Sequence, residues 1–104
     1  MLDTTPLTLA VDHFADRLRA APQSRLQRNA AAEALGLARE LARRAQELEG
    51  VAAGEALVMP DAGMFAVADQ VVVAVHDLAV VLTSEAELAE ALVLVGEAQK
   101  RAGV

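Results

Sequence analysis

Hydrophobic positions recur at intervals of three and four residues in four separate stretches of the chain, and this spacing predicts four helices. The first helix is expected to start at Thr5, a capping residue, and Pro6, and to end before Pro22. The second is expected to run from about Arg25 to Glu49, with Gly50 as its C-terminal stop.

The third stretch contains the most apolar segment, VVVAVHDLAVVL, at residues 71–82. We expect a helix over 62–82, capped by Asp61 after Pro60. Two strands, VVVAV and LAVVL, are the competing interpretation, but His76-Asp77 is a poor hairpin turn and the polar residues do not alternate. The pattern therefore favours a helix. Its predicted core stripe keeps a three-four alternation: Phe65, Ala68, Val72, Val75, Ala79 and Leu82.

The fourth helix has the clearest start, because Ser84 followed three residues later by Glu87 is a capping-box pattern. Gly103 is expected to end this helix. Between the second and third helices, GVAAGEALVMPDAG (50–63) combines glycines and a proline with apolar residues. We expect an apolar loop that covers either its own bundle or a partner. A short strand at 56–59 and an extension of a helix are the alternative predictions for this segment.

These elements predict an all-α protein, a four-helix up-down-up-down bundle with a longer apolar loop between helices 2 and 3, as a single helical domain over 1–104. In that topology the first and third turns lie at the same end. Arginines around the first turn would then face Glu85, Glu87 and Glu90 near the third. The predicted basic patch consists of Arg17, Arg19, Arg25 and Arg28.

Composition supports the helical interpretation and narrows the function. Ala, Leu and Val supply most of the apolar residues, only two residues are aromatic, and there is no Trp, Tyr or Cys. The net charge of −6 opposes binding to nucleic acid, which we do not expect. The apolar runs are too short for a membrane span, and a cytoplasmic location is the default expectation.

Candidate chemistry is sparse. The His76-Asp77 doublet is similar to that of HD-type metal phosphohydrolases, which are all-helical, but His13 is the one other histidine and no Asp follows residue 77. Asp12 and Asp16 lie four residues apart beside His13, an arrangement more typical of a polar helix face than of a metal site. We expect no catalytic residue, no metal ligand and no cofactor.

Helix 3 has a second apolar flank beside its predicted core stripe, which predicts an interface. Either the 50–60 loop covers this flank within the monomer, or a homodimer or a helical partner does. The candidate interface residues lie on helix 3 and the loop: Leu57, Val58, Met59, Val67, Val71, Val73, Val80 and Val81.

The sequence therefore predicts a small cytoplasmic helical interaction module, an adaptor or regulatory subunit, that self-associates through helix 3 and the 50–60 loop. The first alternative is a binding protein that holds a small apolar ligand in the bundle interior. A minimal metal-dependent enzyme, using His13 or His76 with nearby carboxylates, is the remaining alternative.

Overall fold

The computed structural model describes residues 2–104, which form four helices and no strand. Helix α1 is Thr5–Ala20, α3 is Val67–Val81 and α4 is Glu85–Ala102. Helix α2 covers residues 23–48 and is built from a short α-helical start at Gln23–Arg25, a π-helical turn at Leu26–Ala30 and the α-helix Ala31–Leu48. The segment between α2 and α3, residues 49–66, contains one 3-10 turn, Ala53–Glu55. We call this segment the crossover.

Local signals in the sequence account for most helix ends. The Asp3 carboxylate accepts the Thr5 N–H at 3.0 Å, so the acidic residue two positions earlier takes the predicted capping role of Thr5. Gly50 has φ +90°, and the N–H groups of Gly50 and Val51 bond to the carbonyls of Glu47 and Gln46 in the Schellman pattern. The predicted capping box of Ser84 and Glu87 is confirmed.

The core lies between all four helices and is built from aliphatic side chains around one aromatic ring. Phe14 is fully buried, and no polar or charged residue of the described chain is buried with it. Alanines fill much of the remaining interior, so helix backbones approach one another closely. The small side chains explain how the four helices enclose a continuous core that contains a single aromatic ring.

Helices α2 and α4 run in opposite directions, as contacts along their length show. Near the start of α2, Glu33 receives a hydrogen bond from the Arg101 guanidinium at 2.8 Å. Near its end, Arg44 donates to Glu90 at 3.0 Å. The first turn of the chain therefore lies beside the C-terminal end of α4, where Arg25 donates to the Gly103 carbonyl at 3.0 Å.

Helices α2 and α3, in contrast, run in the same direction, and the crossover returns the chain along α2 to connect them. Gln46 bonds to Leu57 and Arg39 bonds to Met59, so the crossover moves toward the start of α2 as its residue number rises. Gln70 near the start of α3 then donates to the Pro60 carbonyl at 2.8 Å. The helix directions are up-down-down-up, with one long crossover.

The predicted up-down-up-down order is therefore wrong, and so is the placement of the first and third turns at one end. The crossover is long enough to retrace the whole of α2, which a short turn could not do. Helix α1 packs closely against α3 and α4, and so does α2. The pairs α1–α2 and α3–α4 are not among the main packing pairs.

The predicted start of helix 3 is also wrong, by five residues. Asp61 does not cap a helix there, because its carboxylate accepts the Gly63 N–H at 2.9 Å within a turn. Phe65, predicted to begin the core stripe, precedes the helix and is 76% exposed. The core side of α3 is rotated from the predicted stripe and includes Val67 and Val71.

Candidate interaction surface

The exposed side of α3 is a narrow strip along the helix. Its members are Asp69, Val73, His76, Asp77 and Val80. At about 100° per residue they fill an arc of about 100°, and the two valines lie near its centre. His76 lies about 50° to one side of this centre and Asp77 about 50° to the other. Val73 is 53% exposed and Val80 is 85% exposed.

The rest of the α3 surface is covered by the protein itself, because α3 packs against both α1 and α2. Val67 and Val71, both predicted as interface residues, are buried in the core and offer no area to a partner. Val81 is half-buried against the core. Helices α1 and α2 thus cover most of the broad apolar arc of α3. Val73 and Val80 are the valines of this arc that remain exposed.

The crossover adds apolar area beside this strip. Leu57 and Val58 are exposed, whereas Met59 is half-buried against the core. All three line one open depression together with Asp77, which places the crossover on the Asp77 side of α3. Of the eight predicted interface residues, the structure therefore leaves four exposed on adjoining elements. We call these four residues, Leu57, Val58, Val73 and Val80, the valine face.

Hydrogen bonds fix the crossover part of the valine face. The Gln46 side-chain amide donates to the Leu57 carbonyl at 2.8 Å and accepts the Leu57 N–H at 2.7 Å. Arg39 Nε donates to the Met59 carbonyl at 2.8 Å. Because the backbone is held on both sides of Val58, the exposed side chains project from a positioned segment.

The rim of the valine face is charged. Asp69 is paired with Arg19 of α1 at 2.7 Å. Hydrogen bonding to Asp69 is the main cause that raises the pKa of the Arg19 guanidinium. His76 and Asp77 are both exposed, and no hydrogen bond or ion pair joins either to another side chain of residues 2–104. A partner would therefore find an apolar centre, one satisfied ion pair, and two uncommitted polar groups.

Phe65, which is predicted to lie in the core, is exposed in the turn before α3. Other exposed apolar residues lie elsewhere: Leu9 on α1, Leu48 on α2 and Val93 on α4. Val93 is 57% exposed, close to the value for Val73, and its helix is not a main packing partner of α3. Val93 is therefore a matched reference for the valine face.

The predicted basic patch is divided among separate roles. Arg19 pairs with Asp16 and Asp69, and Arg25 donates to a backbone carbonyl at the end of α4. Arg17 and Arg28 are exposed. The arginines do not face the acidic residues of the third turn, because that turn lies at the other end of α4. Glu87 there is engaged in its own capping box.

A second charged group of residues lies along α2. Glu40 pairs with Arg43 and with Arg44, each at 2.7 Å, and Arg44 also reaches Glu90 of α4. The hydrogen bond from Arg43 is the largest cause that lowers the pKa of Glu40 to about 2. Arg43, Arg44 and Glu90 border a cleft with Leu78 and Leu82 among its lining residues. The ion pair between Arg44 and Glu90 joins α2 to α4, and the charged residues of this group are paired with one another.

The enzyme alternative depends on two histidines that lie on different helices, and the ligand alternative depends on a cavity in the bundle interior. His13 lies on the exposed side of α1 and His76 on that of α3. Within residues 2–104, no group of three or more His, Asp or Glu side chains is arranged to hold a metal ion. The depressions described on the protein are open and each has a charged residue in its lining.

Comparison with known proteins gives no match among family models, curated proteins or solved structures. No helix in residues 2–104 has both the length and the apolar character needed to cross a membrane.

Proposed function

We propose that the protein is a small helical interaction module, an adaptor or regulatory subunit, that self-associates through α3 and the crossover. The observation that supports this most strongly is the position of Val73 and Val80 at the centre of the one exposed strip of α3. Centres of exposed helix faces normally carry polar residues, and apolar residues there are typical of docking surfaces.

The size of the valine face sets the expected affinity. Full burial of a Val or Leu side chain contributes roughly 1.5–3 kcal/mol, and a dimer buries two copies of the face, so eight partly exposed side chains supply about 8–16 kcal/mol. A cost of association of roughly 4–10 kcal/mol leaves a net of about 4–7 kcal/mol. Contacts of the flanking polar groups add to this sum. The proposed self-association is therefore weak, with a dissociation constant in the range of about 10 micromolar to 1 millimolar.

Sedimentation equilibrium over this concentration range tests the proposal. The wild-type protein is expected to show reversible dimerisation, and the double variant Val73→Ser/Val80→Ser is expected to remain monomeric. Val93→Ser is the matched control, because it removes a similarly exposed valine from α4. A wild-type protein that stays monomeric at millimolar concentration contradicts the proposal, and so does equal dimerisation of the double variant.

A further inference from the structure

The strip of polar and apolar residues on α3 has an internal symmetry. Val73 and Val80 are equally distant in sequence from the His76-Asp77 pair at the centre. The seven residues between the valines correspond to about two turns, so both valines lie on one line along the helix about 10 Å apart. His76 lies on one flank of this line and Asp77 on the other. Asp69 lies on the His76 flank about one turn before Val73, where it is paired with Arg19.

The positions of these flanks decide which pairing of two α3 helices is favourable. When two copies pack in the same direction about a two-fold axis along the valine line, each flank meets the opposite flank of the second copy. His76 then lies beside Asp77 of the second copy, and this contact occurs twice. When the copies pack in opposite directions, each flank meets its own equivalent, so Asp77 lies beside Asp77.

We propose that the occupant of the valine face is a second copy of this chain, packed with its α3 in the same direction about a two-fold axis along the valine line. This rests on the proposed function and specifies its geometry. Val73 meets Val73 of the second copy, and Val80 meets Val80. The His76 and Asp77 groups, which have no partner among residues 2–104, pair across the axis on both sides.

Removing the charge of Asp77 gives a first test, because it is expected to change the dissociation constant in opposite senses for the two packing directions of α3. In the proposed arrangement Asp77→Asn removes a favourable contact, so the dissociation constant is expected to rise by about two- to fivefold for each exposed pair lost. In the opposite arrangement the same variant relieves repulsion, and the dissociation constant falls. Glu85→Gln is the control for net charge, since it removes one exposed carboxylate from the first turn of α4.

Single cysteines give the decisive test, because the chain has no cysteine of its own. A disulfide requires Cα atoms within about 7 Å, so residues at the same height on paired helices can be joined and residues two turns apart cannot. We expect Val73→Cys alone and Val80→Cys alone each to form disulfide-linked dimers under mild oxidation. Val93→Cys serves as the control for random collisions.

The outcomes separate this inference from the proposed function. Rapid crosslinking of each single variant, with no mixed species when the two variants are combined, supports the proposed axis. Crosslinking only in the mixture shows that the helices pack in opposite directions and overturns the inference, while self-association through the valine face stands. Crosslinking no faster than that of Val93→Cys overturns the inference, and the sedimentation experiment then shows whether the proposed function falls with it.

Discussion

The side-chain amide of Gln46 on α2 forms two hydrogen bonds with the backbone of Leu57, one donated and one accepted. A single side chain thereby satisfies both polar groups of one crossover residue, as a neighbouring strand would. The contact holds the crossover against α2 at the point where it carries the exposed apolar residues Leu57 and Val58.

We therefore predict that Gln46→Ala loosens the crossover. Each hydrogen bond contributes about 0.5–1.5 kcal/mol, so the loss of both is expected to lower the free energy of unfolding by roughly 1–3 kcal/mol. Amide hydrogen exchange at Leu57 should accelerate more than exchange in the helices. Gln27→Ala, at an exposed position of α2, is the control. Unchanged exchange at Leu57 would show that the amide does not hold this segment.

Glu40 is predicted to make stability depend on acid pH. Its pKa is lowered from 4.5 to about 2, chiefly by the hydrogen bond from Arg43. The stabilisation is therefore present above pH 4.5 and is lost as the pH falls toward 2. Because the side chain is partly exposed, solvent screening reduces its size to the order of 1 kcal/mol.

Urea unfolding measures the effect. The free energies of unfolding of wild type and Glu40→Gln are compared near neutral pH and again near pH 2. The variant is expected to be less stable near neutral pH and about equal to wild type at the acid limit. Glu55→Gln, in the crossover, has no ion pair among the described contacts and is the control. A difference between Glu40→Gln and wild type that does not change with pH would contradict the account.

Two glycines are predicted to respond oppositely to substitution by alanine. Gly36 lies in the interior of α2, where an added Cβ meets no atom within 4 Å, so Gly36→Ala should stabilise the protein by about 0.5–1 kcal/mol. Gly50 has φ +90° in the turn that ends α2, so Gly50→Ala should destabilise it by about 1 kcal/mol or more. Thermal unfolding measures the stability of both variants. If both substitutions stabilise the protein, or both destabilise it, the backbone conformation described for one of the two glycines is wrong.

The features that the sequence predicted well are those that depend on neighbouring residues. The capping box at Ser84 and Glu87 and the turn at Gly50 are decided within a few residues, and the structure contains both. The predicted start of α3 is wrong although Asp61 is a good cap, because Asp61 is also a good turn residue and the Gly63 N–H donates to it instead.

Topology and the rotation of α3 could not be read from the same pattern. An apolar arc that extends to Val81 on one edge and Phe65 on the other, with Val67 and Val71 between them, gives two nearly equivalent core stripes. Packing against both α1 and α2 decides between them. The direction of α3 depends on contacts distant in sequence, such as Arg39 with Met59, for which no local signal exists.

The candidate surface was partly predictable for the same reason. An excess of apolar residues on helix 3 indicated that something covers it, but the sequence could not distinguish coverage by the protein itself from coverage by a partner. In the structure, Val67 and Val71 are covered by the protein itself, whereas Val73 and Val80 are exposed.

The central claim, that the valine face is a self-association surface, is tested most directly by recording the backbone amide NMR spectrum during dilution from millimolar to low micromolar concentration. We predict that concentration-dependent shifts cluster at Leu57, Val58 and the exposed strip of α3 around Val73 and Val80. A spectrum that does not change on dilution, or shifts that cluster instead around Val93 on α4, would contradict the account.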